Sequence, residues 1–142
     1  MTRAINRLSC AFAAGSLGGL VNGLMVWAFG VWGITTGLGV QIAPELTGAM
    51  LYHRLVWGGL WGLVFILPLW QNSLFLRGLF ISLGPTLVQL FVIFPFQAQK
   101  GFLGLDLGIL TPVFVVIFNA VWGWVAAIWL SWSRLPLRQK LN

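Results

Sequence analysis

The sequence predicts an all-α membrane protein, a compact bundle of four transmembrane helices forming one domain over residues 1–142. Three observations carry that prediction. Only 7% of the residues are charged and 59% are hydrophobic, whereas a soluble domain needs roughly a quarter of its residues charged to cover its surface. Four apolar stretches, at about 8–32, 46–69, 78–96 and 109–132, each approach the ~20 residues that a helix needs to cross a bilayer. Their apolar runs do not alternate, and no second set of strands exists to close a barrel.

The first stretch follows Arg3 and Arg7 and runs from Leu8 to Trp32. A signal peptide also opens on cations, but its apolar core spans ~7–15 residues and ends at a small-residue cleavage site. The longer run predicts a membrane span. Gly15, Gly19 and Gly23 recur every four residues in it, with Gly18 and Asn22 beside them. The connection at 33–45, GITTGLGVQIAPE, ends on Pro44 and Glu45. These are expected in the first turn of the second helix, where proline loses no hydrogen bond and a carboxylate meets the positive end of the dipole. In that second stretch Arg54, Gly58 and Gly62 share a face. His53 lies about 100° round the helix, on a face with Trp57. Residues 70–77, WQNSLFLR, read as a polar turn. The third stretch places Gly78, Ser82, Pro85 and Gln89 in one stripe. After the connection at 97–108, the fourth does the same with Asn119, Gly123 and Ala127. Lipid offers no hydrophobic reason for helices to associate, so small residues that let backbones approach must do it. The four stripes are expected to face one another, with Leu, Phe, Val and Trp turned to lipid.

Charge sets the expected orientation. Arg3, Arg7, Arg77, Arg134, Arg138 and Lys140 fall on the side of the termini, and Lys100, Glu45 and Asp106 fall on the other. Short cytoplasmic segments carry the excess of cations, so both termini are expected in the cytoplasm. Trp32, Trp70 and Trp132 stand at segment ends, where amphipathic rings favour the headgroup layer. The net charge of +6 does not point to nucleic acid, because the cations are spread over helix ends. There is also an internal echo: SLGG at 16–19 with SLGP at 82–85, and VWGGLWG at 56–62 with AVWGWVA at 120–126. It is consistent with two tandem helical hairpins in parallel orientation.

The candidate site is the set of polar residues at membrane depth: Arg54, His53, Asn22, Gln89 and Asn119. An arginine in a span costs ~2.5–3.5 kcal/mol on insertion scales, which marks it as a functional candidate. Arg54 lies eight residues past Leu46, about 12 Å along a helix. Its side chain leans toward the helix N-terminus, so Asp106, and Glu45 through water, are the expected partners. On one reading Arg54 snorkels or ties the second helix to Asp106, His53 is a satisfied neutral histidine at a helix interface, and Asn22, Gln89 and Asn119 make interhelical hydrogen bonds; on the other, the five polar side chains line a pocket opening outward.

Other chemistry is sparse. The single Cys10 allows no internal disulfide and reads as a small buried apolar residue. Only two carboxylates exist, Glu45 and Asp106, both expected at the outer boundary, so no paired acids are placed for general acid–base work. A lone histidine supports no Ser–His–Asp set, and it lacks the companion ligands of a bis-His haem or a bare metal site. The segment GSLGGLVNG has glycines like a dinucleotide fingerprint, but no strand precedes it. No enzyme activity, cofactor or metal is therefore expected. A pigment or haem on His53 is the exception that a visible spectrum would reveal.

AAGSLGGLVNGLMVW in the first segment and HRLVWGGLWGLVFILP in the second resemble the glycine-patterned helices of small YagU-like bacterial inner-membrane proteins. The resemblance covers the first half of the chain. It implies a bacterial inner membrane, with a thylakoid-type membrane as the other host, and it carries over no functional residue. The expected role is a non-catalytic accessory or structural subunit, or a self-associating bundle. Its partners would be the lipid bilayer and either another membrane protein or further copies of the chain. The alternative is a minimal transporter or channel built on the outward-facing pocket around Arg54.

Overall fold

The computed structural model describes residues 1–133. Arg134, Arg138 and Lys140, which entered the charge argument, lie outside the described residues. Four helices are long and apolar enough to cross a membrane: α1 (Thr2–Val31), α2 (Gly48–Ile66), α3 (Leu74–Gln97) and α4 (Thr111–Trp132). No strand occurs among the described residues.

α1 begins well before its apolar run and carries Arg3 and Arg7 on its first turns. Hydropathy marks where lipid begins, not where the helix does, and nothing in residues 2–7 breaks a helix. Gly33, at φ 71°, ends it. A single helical turn, Ile34–Gly37, follows inside the first connection. α2 starts at Gly48, later than expected. Its cap is Thr47, whose hydroxyl accepts from the Met50 amide at 3.1 Å, satisfying one of the donors a helix start leaves open. Pro44 and Glu45 therefore precede the helix and do not sit in its first turn. The polar turn at 70–77 is also shorter than the sequence implied. Ser73 caps α3 by accepting from Leu76 N, so Leu74–Arg77 are helical. Arg77 donates to the Phe65 carbonyl, and its guanidinium lies 5.6 Å from the Phe65 ring.

The glycine stripes are contact faces. Gly15 and Gly19 of α1 meet Gly58 and Gly62 of α2, and a Cβ on Gly58 would stand 2.9 Å from the Gly19 Cα. Gly78 of α3 meets Gly123 of α4, where a Cβ on Gly78 would stand 2.9 Å from the Gly123 carbonyl. Backbone thus touches backbone within two hairpins, α1–α2 and α3–α4. Both hairpins start from the face that holds the N-terminus, here called the terminal face, and turn back at the far face. The structure shares the parallel arrangement suggested by the internal echo. Its two zippers differ by about one helical turn from the register that the echo implies: Gly58 sits between Gly15 and Gly19, and Gly123 between Gly78 and Ser82.

The hairpins join through α1 and α4. Gly18 receives Trp122, whose indole Nε1 donates to the Gly15 carbonyl at 3.0 Å. Ala14 and Ala126 are wholly buried beside it. Trp122, Phe65, Phe114 and Phe118 are therefore core residues, a correction to the expectation that the large rings face lipid. Trp32, Trp70 and Trp132 are exposed at the helix ends. At the far face the two connections bind each other, with Gln41 N donating to Leu107 O at 2.7 Å and Val40 buried beneath. The backbones of the remaining pair, α2 and α3, stay apart, and the two helices touch through side chains, Arg77 on the Phe65 carbonyl and Trp61 over Gly84.

Candidate functional site: a polar cleft between α2 and α3

The space left between α2 and α3 is a cleft of about 410 Å³. All five polar residues singled out at membrane depth line it: Asn22 of α1, His53 and Arg54 of α2, Gln89 of α3 and Asn119 of α4. Each helix thus contributes to one site, as the stripes required.

Its deep wall is a hydrogen-bond network. Arg54 Nη1 donates to Asn22 Oδ1. Asn22 Nδ2 donates in turn to the Phe118 carbonyl at 2.7 Å, which holds the amide so that its oxygen faces the arginine. Asn119 Nδ2 donates to Thr86 Oγ1 at 3.2 Å and, at 3.4 Å, more weakly to Gln89 Oε1. The Thr86 hydroxyl donates in turn, within α3, to the Ser82 carbonyl at 2.7 Å. Such interhelical bonds contribute about 0.6 kcal/mol each. They fix side-chain positions more than they hold the bundle together.

Arg54 is set by α1. Gly23 leaves room for its methylene stem, since a Cβ there would stand 2.8 Å from Arg54 Cδ. A guanidinium has five N–H donors and no acceptor. Among the described residues its hydrogen-bond partner is the neutral Asn22, through Nη1, and the residue lines the cleft. The expected partner Asp106 takes no part. It is exposed in the 98–110 connection, which folds back on itself through Asp106 N to Lys100 O at 3.1 Å. There the carboxylate lies beside Gly101, which adopts φ 77°. Glu45 is likewise exposed outside the cleft. The site therefore presents a cation with no carboxylate among its lining residues.

His53 departs from the packed helix-interface position expected of it. It is exposed and lies 6.1 Å, ring to ring, from Trp57. Both mark the mouth of the cleft. No group of three or more His, Cys, Asp or Glu stands together among the described residues.

On the terminal side the cleft has a floor. The Trp61 ring lies over Gly84, where a Cβ would stand 2.8 Å from it, and Pro85 and Trp122 complete that end. Toward the far face the lining continues to Met50, Ile93 and Gln97. The shape follows from α3, which widens to a π-helix from Gln89 to Gln97. Pro85 and Pro95 each lack an amide donor inside this helix. Pro85, Gln89, Ile93 and Gln97 are four apart and all face the cleft. In an ordinary α-helix of ~3.6 residues per turn such a row drifts by about 40° per step. The wider i→i+5 turn removes much of that drift and keeps the row on one side.

Sequence reasoning missed Trp61, Met50, Ile93, Gln97 and Trp122 as lining residues. Trp61 was within reach, because Arg54, Trp57 and Trp61 follow the 3–4 spacing of one helix face. Ile93 and Gln97 were not, because their placement depends on the π-helix. The chain matches no family model, no curated protein and no solved structure. The YagU-like resemblance of the first half accordingly rests on its glycine pattern alone.

Proposed function

We propose that the chain is a non-catalytic membrane protein whose working part is this cleft, a one-sided binding site for a solute bearing a carboxylate or phosphate, as in a minimal transporter. The observation behind the reading is Arg54. An intramembrane cation costs several kcal/mol, and here its hydrogen-bond partner among the described residues is a neutral amide while the residue lines a cavity with no carboxylate in its lining. A planar guanidinium with free N–H groups matches the two oxygens of a carboxylate or phosphate. The floor formed by Trp61 over Gly84 favours one-sided access over an open pore.

The test is uptake of labelled phosphate and acetate by proteoliposomes holding the full chain. Arg54→Gln is expected to abolish it, and Arg54→Lys to weaken it by removing the planar fork while keeping the charge. Uptake indifferent to both changes, or no uptake above empty liposomes, overturns the transport reading.

For orientation we place both termini in the cytoplasm of a bacterial cell, so that the cleft opens to the outer side. Arg3, Arg7 and Arg77 against Lys100 support this. Reporter fusions at the N-terminus and within the loop at Lys100 are expected to give opposite readings, and the same reading from both overturns the placement.

A second reading, an accessory subunit, draws on the same gap. Trp57 at its mouth is 49% exposed, and a partner's helix laid between α2 and α3 would cover it. Stoichiometric copurification in mild detergent, with crosslinks from the partner to Trp57 and Val88, would select that reading over the first.

A further inference from the structure

Building on the binding reading above, the geometry points to an anionic membrane lipid as the occupant of the cleft, entering sideways between α2 and α3 with its phosphate on Arg54 and its acyl chain in the gap.

Three features carry this. The first is size. At ~30 Å³ per water, a cavity of about 410 Å³ has the volume of roughly fourteen waters, so a bare phosphate or acetate underfills it. The second is the division of the lining. Arg54, Asn22, Gln89 and Asn119 form one polar wall, whereas Trp57, Trp61, Val88 and Ile93 present hydrocarbon and rings toward the gap. An amphiphile has that same division. The third is access. The backbones of α2 and α3 stay apart, and the contacts named above, Trp61 over Gly84 and Arg77 on the Phe65 carbonyl, lie toward the terminal side; beyond that floor the cleft is open along its side, and at membrane depth that side meets the bilayer and not water.

Depth agrees. Arg54 is the seventh residue of α2, about 9 Å from its start, and its side chain leans toward the far face. A headgroup there sits just below the interface. The lipid would need only a modest vertical displacement, with its chain still parallel to its neighbours. The Arg54–Asn22 contact uses Nη1, and a guanidinium has further N–H donors with which to meet phosphate oxygens. Glu45 and Asp106 lie outside the cleft and do not compete for the guanidinium.

The experiment compares three probes on the full chain in mild detergent: phosphatidylglycerol, phosphatidylcholine and inorganic phosphate. Thermal unfolding and native mass spectrometry give the readouts. Phosphatidylglycerol is expected to raise the midpoint and remain bound at one copy, and phosphatidylcholine and inorganic phosphate to do so at least about tenfold more weakly. Arg54→Gln should bring phosphatidylglycerol down to the level of phosphatidylcholine. Val88→Trp, which fills the gap without touching the polar wall, should remove the lipid effect and leave the response to inorganic phosphate. If inorganic phosphate acts as strongly as the lipid and Val88→Trp changes nothing, the lipid inference falls while anion binding stands. If no anion acts at all, both fall.

A wild-type measurement covers the case in which a variant does not fold. Phosphatidylglycerol with a photoreactive acyl chain, incorporated in membranes holding the unaltered protein, is expected to label Trp57, Val88 and Ile93 above the lipid-facing surface of α4. Uniform labelling, or protection of the gap by a crosslinked partner helix, overturns the inference.

Discussion

Two seams join the hairpins of this bundle, and they are made of different materials. Between α1 and α4, glycines and alanines surround one large ring: Gly18 lies on Trp122, and Ala14 and Ala126 are wholly buried. Between α2 and α3, the facing residues are Arg54, Trp57 and Trp61 on one side and Pro85, Val88 and Gln89 on the other. Small residues let helices meet, because backbone contact maximises packing where lipid provides no hydrophobic drive. Bulky and polar residues on both partners hold them apart, and the space between becomes a site. In a parallel pair of hairpins, α1 against α4 corresponds to α3 against α2. One of two related interfaces is therefore closed and the other open. The difference teaches that the same architecture gives a structural joint or a binding cleft according to side-chain size.

The largest effect should come from emptying the closed seam. Trp122→Ala removes the ring and its bond to Gly15, and large-to-small core changes of this kind cost about 3–5 kcal/mol. Denaturant unfolding in detergent measures it. A loss near zero would mean that the hairpins are not held together there.

Overfilling a zipper comes next. Gly123→Leu drives a side chain into the Gly78 backbone, and overpacking costs typically about 1–3 kcal/mol or more. Leu24→Phe, on the exposed surface of α1, should stay within about 0.5 kcal/mol. Equal tolerance of the two changes would break the claim that glycine positions are contact faces.

The open seam should respond more weakly. In a double-mutant cycle, Arg54→Ala and Asn22→Ala are expected to couple by about 0.6 kcal/mol, with an upper bound of about 1.7. Arg54→Ala and Asp106→Ala should instead add within about 0.5 kcal/mol, since the two side chains do not meet. Strong coupling to Asp106 would restore the anchoring role that the sequence implied for Arg54.

The smallest effect is expected of Val88→Trp. Its side chain is half-buried at the edge of the gap, and substitutions away from packed features usually fall within about 0.5 kcal/mol. A large loss of stability there would show that the seam is closed after all, and the contrast with α1–α4 would vanish.

Taken alone, the sequence determined the number of spans, the face on which each helix packs, and the five polar residues that share the cleft. These follow from composition and from a period of ~3.6 residues, which are local properties. It also implied that Gly15, Gly19, Gly58 and Gly62 touch something, because a small-residue stripe is meaningful only against a neighbour. Periodicity says which way a residue faces on its own helix but not which helix stands opposite. The tertiary structure decided that α1 closes on α4 while the backbones of α2 and α3 stay apart, and that Trp122 is buried where Trp57, Trp129 and Trp132 are exposed. It also decided the partner of Arg54. The connection that carries Asp106 is folded by backbone hydrogen bonds, Lys100 with Asp106 and Gln41 with Leu107, and no side-chain spacing encodes these. Asn22 wins because Gly19 and Gly23 bring α1 against the arginine stem. The π-helix of α3 completes the cleft by turning Ile93 and Gln97 inward, a change of helical pitch that hydropathy does not register.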